Sequence, residues 1–154
     1  MTTKITGANV NTLSLGVVGS VVQTTLAAAL EKVTISATAA TGTITFDLAT
    51  QSILYYTTNA SGNWTLNVRG SSGVTLNSLM ATGQSITLAF LATQGGTAYY
   101  NSALQIDGSS VTPKWFGGAA PSAGNANGID VYTYTIIKTG NAAYVVLASL
   151  SKFA

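Results

Sequence analysis

The acidic side chains of this 154-residue chain are Glu31, Asp47, Asp107 and Asp130, and the chain has neither histidine nor cysteine. Retaining and inverting glycosidases need two carboxylates facing each other, and a calcium loop needs several oxygens close in sequence. Here the four stand far apart and form no D-x-D-x-D pattern. Without imidazole or thiolate, the Ser-His-Asp and Cys-His arrangements, the HExxH zinc site and any histidine general base are excluded. Asp107 precedes Gly108 and fits a hairpin turn, while Asp130 opens a strand-like segment. The four carboxylates are therefore expected to serve the fold, and the chain to be neither an enzyme nor a carrier of a metal or cofactor. Ser/Lys or tyrosine chemistry is the catalytic route that counting leaves open.

Glycines and aromatics are the next candidates. The stretch "PKWFGGAAPSAGNANGID", residues 113 to 130, holds a tryptophan, a phenylalanine and several glycines, but it contains neither GxGxxG nor GxxxxGK[ST]. It does not lead from a strand into a helix, so a phosphate cradle is unsupported. Glycine and asparagine there are read as suppliers of positive φ in a strand-to-strand connection. Aromatic side chains on an amide-rich surface can stack on sugars. Trp64, however, is in phase with Leu66 and Val68, and Tyr132 and Tyr134 share one strand face, so a core position or a subunit interface is expected for them. Trp115 and Phe116, in the irregular stretch, are kept as possible ligand or neighbour contacts that pin the connection down. Asn59 and Asn63 match the glycosylation pattern, which carries meaning only in a secretory setting.

These residues sit in a chain of unusual surface chemistry. Only 6% of it is charged, against roughly 25% in an ordinary soluble domain. Ser, Thr, Asn and Gln must supply the polar surface, which suits a protein largely covered by neighbours. The basic residues Lys4, Lys32, Arg69, Lys114, Lys138 and Lys152 are scattered, so no basic stripe points to nucleic acid. Ile5 to Leu30 carries no charge, but Asn9, Asn11, Gln23 and several Ser and Thr keep it short of the ~20 nearly continuous apolar residues of a membrane span. No membrane association is expected. Val10, Leu13, Leu15, Val17, Val18, Val21 and Val22 are instead read as oligomer or docking contacts.

Period-2 alternation dominates after residue 32. "KVTISAT", "TGTITFDLA", "ILYYTT", "NWTLNVRG", "QSITLAFLAT", "TAYYNSALQID", "DVYTYTIIKT" and "AAYVVLASLSKF" alternate or run in β-branched and aromatic types, as half-buried or fully buried strands do. Turn residues separate them at 60–63, 70–73, 94–96, 107–110 and 139–141, the last two as hairpins. The expectation is an all-β chain: an antiparallel β-sandwich, jelly-roll-like, over residues 32–154, preceded by an extended N-terminal arm or docking segment over residues 1–31. Residues 17 to 33 read equally as helix or strand. No internal repeat is evident.

The ordered blocks "ASGNWTLNVRG", "LNSLMATGQSITLAF", "TAYYNSALQIDGSSVTPKWFGGAAPSAGNANGIDVYTYTIIKT" and "VLASLSKFA" resemble a module of bacteriophage virion proteins, of the kind found in tail-fibre-like and other structural proteins of marine cyanophages. The resemblance covers roughly residues 53 to 154. It implies a non-enzymatic particle component: a capsid decoration or knob, or a compact tail-associated subunit. As partners it implies further copies of the chain, a trimer by the habit of such proteins, together with the major capsid protein or other virion proteins. It also keeps open a fibre-tip role with a host surface glycan as ligand. Two departures stand out. About fifty residues precede the module where a long shaft is usual, and Phe116 follows Trp115 where relatives look polar.

Overall fold

In the computed structural model, which describes residues 30–154, the alternating segments form strands of two sheets. β1 (Val33–Ala39), β3 (Ile53–Thr58), β5 (Ser85–Thr93), β9 (Ile129–Gly140), β10 (Ala143–Phe153) and β8 (Lys114–Trp115) lie side by side in that order. The second sheet runs β2 (Gly42–Asp47), β4 (Trp64–Arg69), β6 (Asn101–Ile106) and β7 (Ser109–Val111). One short helix, α1 (Leu76–Leu79), interrupts the connection between β4 and β5, and a 3-10 turn, Phe116–Gly118, follows β8. Each of the eight segments read as a strand is one. Val33, inside the stretch that read as helix or strand, begins β1.

The pairing differs from the antiparallel expectation. β1, β3 and β5 are parallel neighbours, and so are β2, β4 and β6. Through β6, consecutive strands alternate between sheets, so from β3 each one lies beside the strand two before it and points the same way. Val33 lies beside Ile53, and Gly42 beside Trp64. The turn residues near 40, 60 and 95 thus make arches from one sheet to the other, which local turn chemistry does not distinguish from hairpins. Antiparallel pairing holds in the later half, for β5 with β9, β9 with β10, and β6 with β7. Asp107 (φ 52) and Gly108 (φ 79) turn β6 into β7 with two left-handed residues, the geometry of a tight hairpin. The antiparallel Greek-key wiring of a jelly roll does not describe the first six strands. The expected arm over residues 1–31 lies almost wholly outside the described residues.

Inward-facing side chains of the two sheets share one core. Ile44, Phe46, Trp64, Leu66, Val68, Leu104 and Ile106 come from the smaller sheet, and Leu54, Leu88, Phe90, Ala92, Tyr132, Tyr134, Ile136 and Val146 from the larger. Trp64 meets Phe90 and Tyr132 across the gap, edge to face, with ring centroids 5.7 and 5.5 Å apart. Such aromatic pairs add about 0.5–1.5 kcal/mol each beyond the area they bury. The period-2 phase read for Trp64, Leu66 and Val68 is therefore the inward one, and Thr65, Asn67 and Arg69 face out.

Candidate functional site

Each carboxylate has a structural partner. On adjacent strands, Asp47 pairs with Arg69, whose Nε donates to Oδ1 at 2.6 Å and whose Nη2 donates to Oδ2 at 3.3 Å. Glu31 accepts a hydrogen bond from the Ser52 hydroxyl at 3.1 Å. Asp107 leaves its hairpin to take the N–H groups of Leu76 (2.6 Å) and Asn77 (3.0 Å), the first two residues of α1. At the other end of that helix the buried Lys138 ammonium donates to the carbonyls of Asn77 and Met80, the latter at 2.8 Å. Free N–H groups at a helix start favour an anion and free carbonyls at its end a cation, so a single turn with almost no length of its own is held by charge at both ends.

Asp130 is fully buried. Its Oδ2 accepts from Gln94 Nε2 (3.0 Å) and from the Asn125 N–H (3.1 Å), while Oδ1 has no hydrogen-bond partner among the described residues. Burial pushes the carboxyl above the usual range, and the bonds from Asn125 and Gln94 pull it back only in part. The close fit explains one glycine of the 113–130 stretch: a Cβ at Gly124 would lie 2.3 Å from the Tyr99 carbonyl oxygen and 2.7 Å from Asp130 Oδ2. Gly124 thus serves close approach, whereas Gly117 and Gly118, with φ of 77° and 84°, supply the left-handed turns expected there.

Because the folded-state value of Asp130 is raised, the folded protein holds this proton more readily than the unfolded chain does. The stabilisation is full below the unfolded value of about 3.9 and is lost as pH climbs through the folded value. The melting temperature of the wild type measured against Asp130→Asn is therefore expected to decline as pH rises above about 4. A difference that stays level or grows over that range would contradict the assignment.

Around Trp115 the chain builds an aromatic cluster that reaches the surface. β8 adds to the edge of β10 in parallel, Ala148 beside Trp115, which turns the indole inward over the open side between the sheets. There it stands edge to face with Tyr132 (6.4 Å) and Tyr134 (6.0 Å), both fully buried. Burial pushes both phenols up, so they act as neutral hydroxyls. Tyr134 donates to Asn101 Oδ1 at 3.1 Å, and the Asn101 N–H donates to the Tyr132 oxygen at 3.2 Å. Beside this network Asn101, Ser102, Leu104, Val111, Trp115 and Pro121 line a recess of about 280 Å³.

Trp115 therefore pins the 113–130 connection onto the core, as expected. Phe116 does not: it is 89% exposed and stands clear of the cluster. Tyr132 and Tyr134 are core residues, and the subunit-interface alternative for that pair falls away because neither ring reaches the surface.

No family model, curated protein or solved structure matches this chain. Its function must accordingly be argued from its own residues. The docking residues expected from the sequence, Val10, Leu13, Leu15, Val17, Val18, Val21 and Val22, lie outside the described residues. Among the described residues no three Asp or Glu side chains gather where one ion would sit, and no helix is long and apolar enough to cross a membrane.

Sequence reading missed the clamp on α1 and the burial of Asp130 and Lys138. The signal was present: Asp130, Tyr132, Tyr134, Ile136 and Lys138 fall on one face of β9, so two charges had to enter the core side with the aromatics.

Proposed function

We propose that this chain is a non-enzymatic structural protein of a bacteriophage virion, a small β-rich module that docks on the particle surface through its apolar N-terminal segment. The observation that carries this reading is the use made of the chemistry-bearing side chains. Asp47, Asp107, Asp130 and Lys138 all hold the fold together, and the 113–130 stretch connects strands. What then offers itself to partners is a surface made mostly of uncharged side chains, with Glu31, Lys32, Lys114 and Lys152 as its exposed charges among the described residues. The partners are further copies of the chain and the major capsid protein or another virion protein; nucleic acid and membrane are not among them. Assembly proceeds by burial, each Val or Leu of the N-terminal segment that leaves water contributing about 1.5–3 kcal/mol.

Deleting residues 1–30 is expected to leave a folded domain that no longer binds particles lacking this protein, as read by co-sedimentation with them. Undiminished binding by the truncated chain sinks the docking mechanism. A reconstruction of the virion in which this chain has no density sinks the particle role itself.

A second reading, a receptor- or glycan-binding tail-fibre tip, draws on the exposed Phe116 and on the recess beside Trp115, where amide, hydroxyl and indole converge. Glycan-array or whole-cell binding that disappears in Phe116→Ala or Trp115→Ala would favour it.

A further inference from the structure

The two sheets turn very different faces outward. On the smaller sheet the outward rows are polar: Thr45 beside Asn67 beside Gln105 beside Ser110, with the Asp47–Arg69 ion pair one row along. Across the larger sheet the corresponding rows read Ile35, Tyr55, Leu91, Val131, Ser151 and, next to it, Val33, Ile53, Ala89, Thr133, Ser149, apolar over β1, β3 and β5 and turning to small hydroxyl side chains towards β10. No charged side chain lies in either row. Charges appear only at the borders, with exposed Glu31 and Lys32 just ahead of β1 and exposed Lys114 on β8.

Several residues of this face are too apolar and too open for a surface meant to stay in water. Ile35 is 69% exposed and Leu147 46% exposed, and past β10 Leu147 shares a groove with Phe116 and with Lys114, the border charge beside it on β8. The pairing points the same way. Parallel strands are ordinarily covered on both faces, and the unbroken apolar run Ile53-Leu54-Tyr55-Tyr56 on β3 is the pattern of a strand covered twice. Leu54 and Tyr56 face the core, Tyr56 with its ring 5.3 Å from that of Phe90, while Ile53 and Tyr55 face out.

We propose that the outer face of the six-stranded sheet is an interface, and that its occupant is the same face of a second copy of this chain. A flat, uncharged surface meets its own copy across a two-fold axis without opposing like charges, and the border charges fall where an interface keeps its polar rim. Five strands at about 4.8 Å spacing, each contributing about six residues at about 3.3 Å, give a footprint of roughly 24 by 20 Å before Phe116 and Leu147 are added. That projected footprint of about 480 Å² is more than half of the ~800 Å² per partner of a stable interface, and Phe116 and Leu147 enlarge it. Two sheets packed this way sit about 10 Å apart with their side chains interdigitated. The assignment is independent of the particle role proposed above.

The full-length chain should run as a dimer in sedimentation or light-scattering measurements. Ile35→Glu combined with Leu147→Glu should return it to the monomer mass, while the circular-dichroism melting curve confirms that the fold survives. Both positions are exposed, so the substitutions spare the core. Thr45→Glu, on the polar face of the other sheet, should leave the dimer intact. A monomeric wild type overturns the proposal, as does an oligomer unmoved by the Ile35/Leu147 pair but dissociated by removing residues 1–30.

Discussion

Replacing Trp64 by alanine costs the fold about 3–5 kcal/mol, the range for emptying a large aromatic site in a core. Trp64 is 1% exposed and is the side chain through which the two sheets touch most directly, its ring set against Phe90 and Tyr132 from the opposite sheet. The contacts made by the residue's backbone survive truncation, because the Trp64 carbonyl accepts from Asn101 Nδ2 at 3.3 Å and from Ser102 Oγ at 3.1 Å whatever the side chain. The loss is therefore one of packing. It is enlarged by a cavity between two sheets of which neither can move without disturbing its own ladder. The indole Nε1 is buried without a partner among the described residues, so Trp64→Phe forfeits none of the hydrogen bonds described and is expected to lose roughly 1–2 kcal/mol. Urea unfolding of both variants checks this. Equal losses for phenylalanine and alanine would mean that the nitrogen, and not the ring volume, matters at this position.

Lys138→Met is the second large effect. The side chain lies on the core face of β9 and its ammonium reaches the carbonyls of Asn77 and Met80. Methionine fills similar space but leaves those carbonyls without their donor. Hydrogen bonds to a charged group contribute about 1.5–3 kcal/mol, and a loss of that order is expected. The damage should be local before it is global. The N–H groups of Leu79 and Met80, bonded to the Thr75 and Leu76 carbonyls at 3.1 and 3.0 Å, should exchange with solvent many times faster, while those of β9 and β10 keep their protection. Unchanged exchange at Leu79 and Met80 would show that α1 does not depend on Lys138.

How far the sequence reached follows from what each signal encodes. Alternation records which face of a strand is wet, so the eight main strands and the inward phase of Trp64 and Leu66 were legible. It does not record which strand lies alongside. The residues at 60–63 and 94–96 have the composition of hairpin turns, yet they carry the chain to the other sheet, and the uneven connections, short before β3 and long before β5, hide the stacking from any search for a repeat. Asp107 was legible as a turn residue because its turn is local. Its hold on Leu76 and Asn77 was not, since the partner lies thirty-one positions away for Leu76. Of the two adjacent aromatics read together as contacts, Trp115 turns inward and Phe116 stands in solvent, a difference that their types and spacing do not encode. The apolar outer rows of the larger sheet left a trace in the sequence as strands that run instead of alternating, a pattern that fits a buried strand and an interface strand alike.

The two parallel ladders also set how such a molecule can change its length. In a spiral that climbs one strand per sheet per circuit, duplicating or deleting a whole circuit returns every side chain to the face it had before, and the hairpin of β9 and β10 still seals the end. Growth by any other increment turns core residues towards water. Descendants of this chain should accordingly differ in height by complete steps, like floors added to a building, with the top storey conserved.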